Sequence, residues 1–114
     1  MIYVAAPYSD SDKAVIEERM TLFAKYFSTM IANKLYPVSP LLNHYIYKEA
    51  AAEWPTNWEF WEGYSRELLT RCTSMIVLMI DGWKESEGVQ AEIQLATELG
   101  IPIEYCSKLT IKEL

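Results

Sequence analysis

The clearest hydrophobic signal along the chain is Met75 to Ile80, six apolar residues without alternation, closed by Asp81-Gly82. A run of this kind suits a strand covered on both faces, as in parallel sheets. Ser86, a good N-cap, then opens a helical pattern that ends at Gly100, a C-cap. At the start of the chain, Ile2 to Ala6 predicts a short buried strand that runs into the turn-rich Pro7-Tyr8-Ser9-Asp10-Ser11-Asp12. Val15, Ile16, Met20, Leu22, Phe23, Tyr26, Phe27, Met30 and Ile31 recur at intervals of three and four, which predicts a long helix packed on a sheet and ending near Asn33-Lys34. Leu35 to Pro40 predicts a short strand toward a sheet edge, because it ends in proline. Ile101 to Tyr105 predicts the last strand.

Residues 41 to 58 are less regular and predict a short helical excursion, a candidate lid, before Thr56 or Asn57 caps another helix. Trp58, Trp61, Tyr64, Leu68 and Leu69 keep a helical period down to Arg71. With Trp54 they form an aromatic patch that reads first as core or subunit interface and second as a base-stacking platform. The order of elements is β-α-β-α-β-α-β, which predicts an α/β fold with a small parallel sheet flanked by helices. No assignment is made for Lys108 to Leu114.

Composition narrows the function classes. At 114 residues the chain is expected to be one domain, 1–114, and 51% hydrophobic with 23% charged residues is an ordinary globular profile. The net charge of −6 and pI near 4.7 disfavour a general nucleic-acid binder, which needs a basic surface. The two cysteines and one histidine form no metal-ligand pattern, so no metal and no cofactor are expected. The chain begins in a strand and has no apolar run near the roughly 20 residues of a membrane span, so no membrane partner and a cytoplasmic location are expected.

Chemistry concentrates after the central strand. The carboxyl ends of such strands are where open α/β sheets bind ligands. The helix that starts at Ser86 offers a hydroxyl, free backbone N–H groups and a positive dipole end, an anion pocket of phosphate size that Gly88 keeps open. Glu92, four residues on, projects from the same face and leans back toward the helix start. A carboxylate thus stands beside an anion site. Ser-x-Gly is also ordinary capping chemistry and a second-turn Glu is ordinarily solvated, so spacing alone leaves both readings open.

Ile2 through Ser9, Val38-Ser39-Pro40, Leu68-Leu69 with Cys72, and Gly82 through Glu92 with Ala96 and Gly100-Ile101-Pro102 together resemble the nucleoside 2-deoxyribosyltransferase superfamily over nearly the whole chain. The resemblance implies a flavodoxin- or Rossmann-like sheet and a Glu at position 92 that attacks C1′ of a deoxyriboside. The base is released, and the sugar passes to water in a hydrolase or to another base in a transferase. It implies that Ser86 and Gly88 hold a 5′-phosphate together with Pro7, Tyr8 and Ser9, and that Tyr3 contacts the sugar and orients the glutamate. Where many relatives carry two acids this chain has Ser65 and Thr73, so protonation of the leaving base would fall to a tyrosine, to His44 or to water. His44 reads equally as a site residue or a packing histidine, and Trp61 is a possible ligand contact.

Two functions follow as expectations. The first is an N-glycosidase or transferase acting on a small-molecule deoxynucleoside or deoxynucleotide, with hydrolysis of a monophosphate favoured because the Ser-x-Gly helix start suits an anion. The second is a catalytically silent module that sequesters a nucleotide or nucleotide signal, motivated by Ser65. In either case the aromatics from Trp54 to Tyr64 predict a homodimer or a dimer of dimers.

Overall fold

The computed structural model describes residues 1–114 and contains four strands and five α-helices. They are β1 (Ile2–Ala5), α1 (Lys13–Ala32), β2 (Pro37–Val38), α2 (Asn43–Glu49), α3 (Trp58–Leu69), β3 (Ser74–Met79), α4 (Glu87–Glu98), β4 (Ile103–Ser107) and α5 (Lys108–Lys112), with a 3-10 turn at Pro40–Leu42. The strands form one all-parallel sheet in the order β2-β1-β3-β4. The fold is α/β, of Rossmann or flavodoxin type.

Alternation along the strands sends side chains to opposite faces, and each face carries its own core. Val4, Ala6, Leu78 and Ile80 pack with Met20, Phe23, Phe27 and Met30 of α1 and with Ile111 of α5. Tyr3, Ala5, Met75 and Val77 pack on the other face with Leu69 of α3 and with Val89, Leu95 and Ala96 of α4. Helix α1 follows β1 on one side of the sheet, and α4 follows β3 on the other. A crevice therefore opens between the carboxyl ends of β1 and β3, the switch point where such sheets hold ligands.

Two expectations need adjustment, and one unassigned stretch gains a structure. Only Pro37 and Val38 of the predicted Leu35 to Pro40 strand pair with β1, because Pro37 lacks an N–H and Pro40 opens the 3-10 turn. The last strand is shifted two residues, to Ile103–Ser107, since the Ile101 amide bonds the Ala96 carbonyl in closing α4. The unassigned tail forms α5, capped by Ser107, and buries Ile111 completely. No helix is long and apolar enough to cross a membrane.

Candidate functional site

Asp12 accepts a hydrogen bond from the Ala14 amide and starts α1, so the loop between Ala5 and Lys13 lies over the end of β1. From α1, Arg19 reaches back to fasten this loop. Its guanidinium donates to the carbonyls of Tyr8 (3.2 Å) and Ser9 (2.9 Å) and to that of Asp81 beyond β3 (3.2 Å). One side chain thus ties together the two loops that flank the switch point. Its Nε is buried without a partner, and Gly82 turns beside it at φ +94°, where a Cβ would collide with the guanidinium. The positive φ favours glycine there, and a Cβ would also force the Arg19 guanidinium to move.

Beyond Gly82, Ser86 caps α4 by accepting from the Val89 amide at 3.2 Å. The Glu87 and Gly88 amides have no acceptor within the chain and remain for a ligand. A Cβ on Gly88 would meet nothing nearer than the Ser86 Oγ at 4.0 Å, so the space above it is cleft rather than core. Glu85 and Glu87 flank these amides.

The cleft holds about 450 Å³. Its floor is Ser65 and Glu92, one rim is Tyr8 and Ser9, the other is Glu85 to Val89, and Leu41, Asn43, His44, Tyr47, Trp54, Trp58 and Trp61 form the outer wall. Neither Lys nor Arg lines it. The expected aromatic patch is part of this wall. Trp54 packs edge to face on Trp61 with ring centroids 6.0 Å apart and against Tyr47 at 5.5 Å, leaving the rings half-buried instead of in the core.

Glu92 is 8% exposed, and its Oε2 accepts a hydrogen bond from the Tyr3 hydroxyl. Burial pushes its carboxyl up to about 7, against the opposing pull of that hydrogen bond. The Tyr3 phenol is raised well above its ordinary range, first by burial and then by the Glu92 charge, with Ser65 the only opposing influence. Glu92 is thus a carboxyl group held by Tyr3 at the lining of the cleft, with a pKa suited to chemistry near neutrality.

The structure brings together Glu92, Ser86, Gly88, Ser9, Tyr8, His44, Ser65 and Trp61, all lining one cleft. It does not bring Tyr3 or Pro7 to the surface. Tyr3 is 0% exposed and Pro7 is fully buried, so Tyr3 meets the site only through its hydrogen bond to Glu92, not by the expected sugar contact, and Pro7 lies beneath the loop. Two features escaped the sequence reading. Arg19 sits on the polar side of a helix and reads as solvated, and the 2.6 Å hydrogen bond between the Tyr8 hydroxyl and His44 Nδ1 joins residues 36 apart.

Fold and site define an α/β protein with a buried, tyrosine-backed glutamate beside a helix N-terminus at the sheet's switch point. The chain belongs to the DUF1937 family, a domain of unknown function whose family model matches residues 1–108. No curated protein matches it.

Proposed function

We propose that the protein cleaves the N-glycosidic bond of a 2′-deoxynucleoside or its 5′-monophosphate, with Glu92 as nucleophile. The observation that carries this is the Glu92 carboxylate, buried, hydrogen-bonded by Tyr3 and lining the cleft. In such a setting a carboxylate stabilises an oxocarbenium-like transition state at C1′ and traps it as an ester, as in retaining glycosidases. The half-buried aromatic wall supplies stacking surface for the base, worth roughly 1–3 kcal/mol per base. The Glu87 and Gly88 amides meet the 5′ end of the sugar. With Glu85 and Glu87 beside them and no Lys or Arg on the cleft, the local field favours the free nucleoside over its phosphate.

The decisive experiment incubates the purified protein with the common deoxynucleosides and their 5′-monophosphates and scores released base by chromatography, beside Glu92→Ala. Release by the wild type alone supports the assignment, and equal release by both ends it. Adding a second base and looking for a new nucleoside separates transfer from hydrolysis. A second reading, a nucleotide-binding module without turnover, draws on Ser65, a buried hydroxyl at the cleft floor. Intact ligand recovered after long incubation with a protein that it stabilises would favour that reading.

We also propose a cytoplasmic location and assembly of two or more copies. Support for assembly is the run of exposed apolar side chains on α2 and α3, Tyr45, Ile46, Phe60 and Tyr64.

A further inference from the structure

We infer that Tyr8 and His44 form the proton relay for the departing base, a role that rests on the glycosidase reading above. Breaking an N-glycosidic bond to a neutral base leaves a negative charge unless a proton arrives with the electron pair. Glu92 cannot supply it, because the nucleophile must be ionised. Ser65 is a weak acid. Among the remaining cleft residues, Tyr8 and His44 are hydrogen-bonded to each other, which gives the donor a means of replacing its proton.

Their geometry is that of a relay. Tyr8 follows β1 directly and is therefore placed at the same sheet end as Glu92. His44 lies on the first turn of α2, with its side chain 9% exposed, its Nδ1 2.6 Å from the Tyr8 hydroxyl and its Nε2 4.0 Å from a Glu17 carboxylate oxygen of α1. The rings of Tyr8 and His44 meet edge to face at 5.3 Å, which fixes their mutual orientation. Glu17 also lies 3.6 Å from Lys48 Nζ, and the other titratable neighbours on α2 are Tyr45 and Tyr47. Burial, then Tyr47 and Glu17, raise the Tyr8 phenol above its ordinary range, so it stays protonated at rest.

In the working form, the doubly protonated His44 ring donates its Nδ1–H to the Tyr8 oxygen and points Nε2–H at Glu17. The phenolic proton of Tyr8 is then free to turn into the cleft. As Glu92 forms its bond to C1′, the C1′–N bond breaks and its electron pair stays with the base. The Tyr8 proton passes to a ring nitrogen or carbonyl oxygen of the base. The phenolate takes the Nδ1 proton, leaving neutral imidazole. When water hydrolyses the ester, its oxygen joins C1′, Glu92 leaves as carboxylate, and the proton returns through Tyr8 to His44.

The test compares 2′-deoxyguanosine with N7-methyl-2′-deoxyguanosine, whose positively charged base departs neutral without a proton, after subtraction of spontaneous cleavage. Tyr8→Phe and His44→Gln are measured beside the wild type and Glu92→Ala, with thermal unfolding of each. Tyr8→Phe should lose roughly 10²- to 10⁴-fold in kcat on the unmethylated substrate and less than tenfold on the methylated one, with His44→Gln falling in the same unequal manner. Equal losses on both substrates, or no loss on either, would overturn the relay while leaving the glycosidase reading intact. Absence of Glu92-dependent release by the wild type from these two substrates and from every deoxynucleoside and monophosphate of the screen above would remove the glycosidase reading, and the relay with it.

Discussion

Glu92 is where sequence, burial and chemistry meet. Its folded pKa of about 7 lies above the ordinary value of 4.5, so the native state favours the proton. The stability this confers is fully present below pH 4.5 and is lost as pH rises through about 7. From the size of that shift, the loss is roughly 3 kcal/mol at completion. Glu92→Gln keeps the shape without the charge, and its melting temperature should exceed that of the wild type by a margin that grows across this window and levels off above it. A margin independent of pH would mean that Glu92 does not titrate there. Tyr3→Phe removes the hydrogen bond that lowers the Glu92 pKa, so the acidic limb of the rate profile should move to higher pH, whereas an unmoved limb would break the pairing. The position of Glu92 beside the Ser86-x-Gly88 helix start was legible from helical spacing, which left its role open. Its partner was not, because Tyr3 stands 89 residues away in an apolar strand, where periodicity reads it as core. Only the resemblance brought Tyr3 forward, and the sugar contact it implied is closed by complete burial.

At the level of elements, two glycines at the edges of the site should behave in opposite ways. Gly82→Ala places a methyl group against the Arg19 guanidinium at a positive φ and should destabilise the fold by roughly 1–3 kcal/mol, read by chemical unfolding. Gly88→Ala meets only cleft space and favours the helix, so stability should hold or rise by up to about 1 kcal/mol while ligand binding weakens at least tenfold by calorimetry. A Gly88→Ala protein that binds as well as the wild type would empty the Glu87 and Gly88 amides of their assigned role. The elements themselves were largely readable, because β3 and α4 carry unmixed signals and strong caps. The failures lie where tertiary contacts outweigh local pattern. Helix α5 is five residues long, too short for a period, and exists because Ile111 fills the space beside Phe23 and Phe27. Strand β2 is cut to two residues by its own prolines.

Across the whole molecule, the parallel sheet puts every loop that bears chemistry at one end. The alternation of apolar strands and amphipathic helices forecast that much without any contact map. It could not forecast the outer wall, because residues 41 to 61 interleave aromatic and polar side chains without a period. That stretch also leaves Tyr45, Ile46, Phe60 and Tyr64 exposed, for which we propose a second copy as the cover. Sedimentation at micromolar concentration should give at least twice the 13.2 kDa of one chain, and Phe60→Glu with Tyr64→Glu should shift the mass toward a single copy. A wild-type mass of one chain would dismiss the assembly. The outer wall has a further consequence for how such a protein diversifies. Leu41, Asn43, His44, Tyr47, Trp54, Trp58 and Trp61 all come from one uninterrupted segment, whereas Glu92 and the α4 amides come from another. On the proposed reading, most of what the cleft would accept and the carboxylate that would act there are therefore encoded in separate stretches of gene, His44 being the exception. If the proposed glycosidase reading holds, recombination or library mutagenesis confined to residues 40 to 61, with His44 kept, should yield proteins that discriminate among bases differently while keeping Glu92.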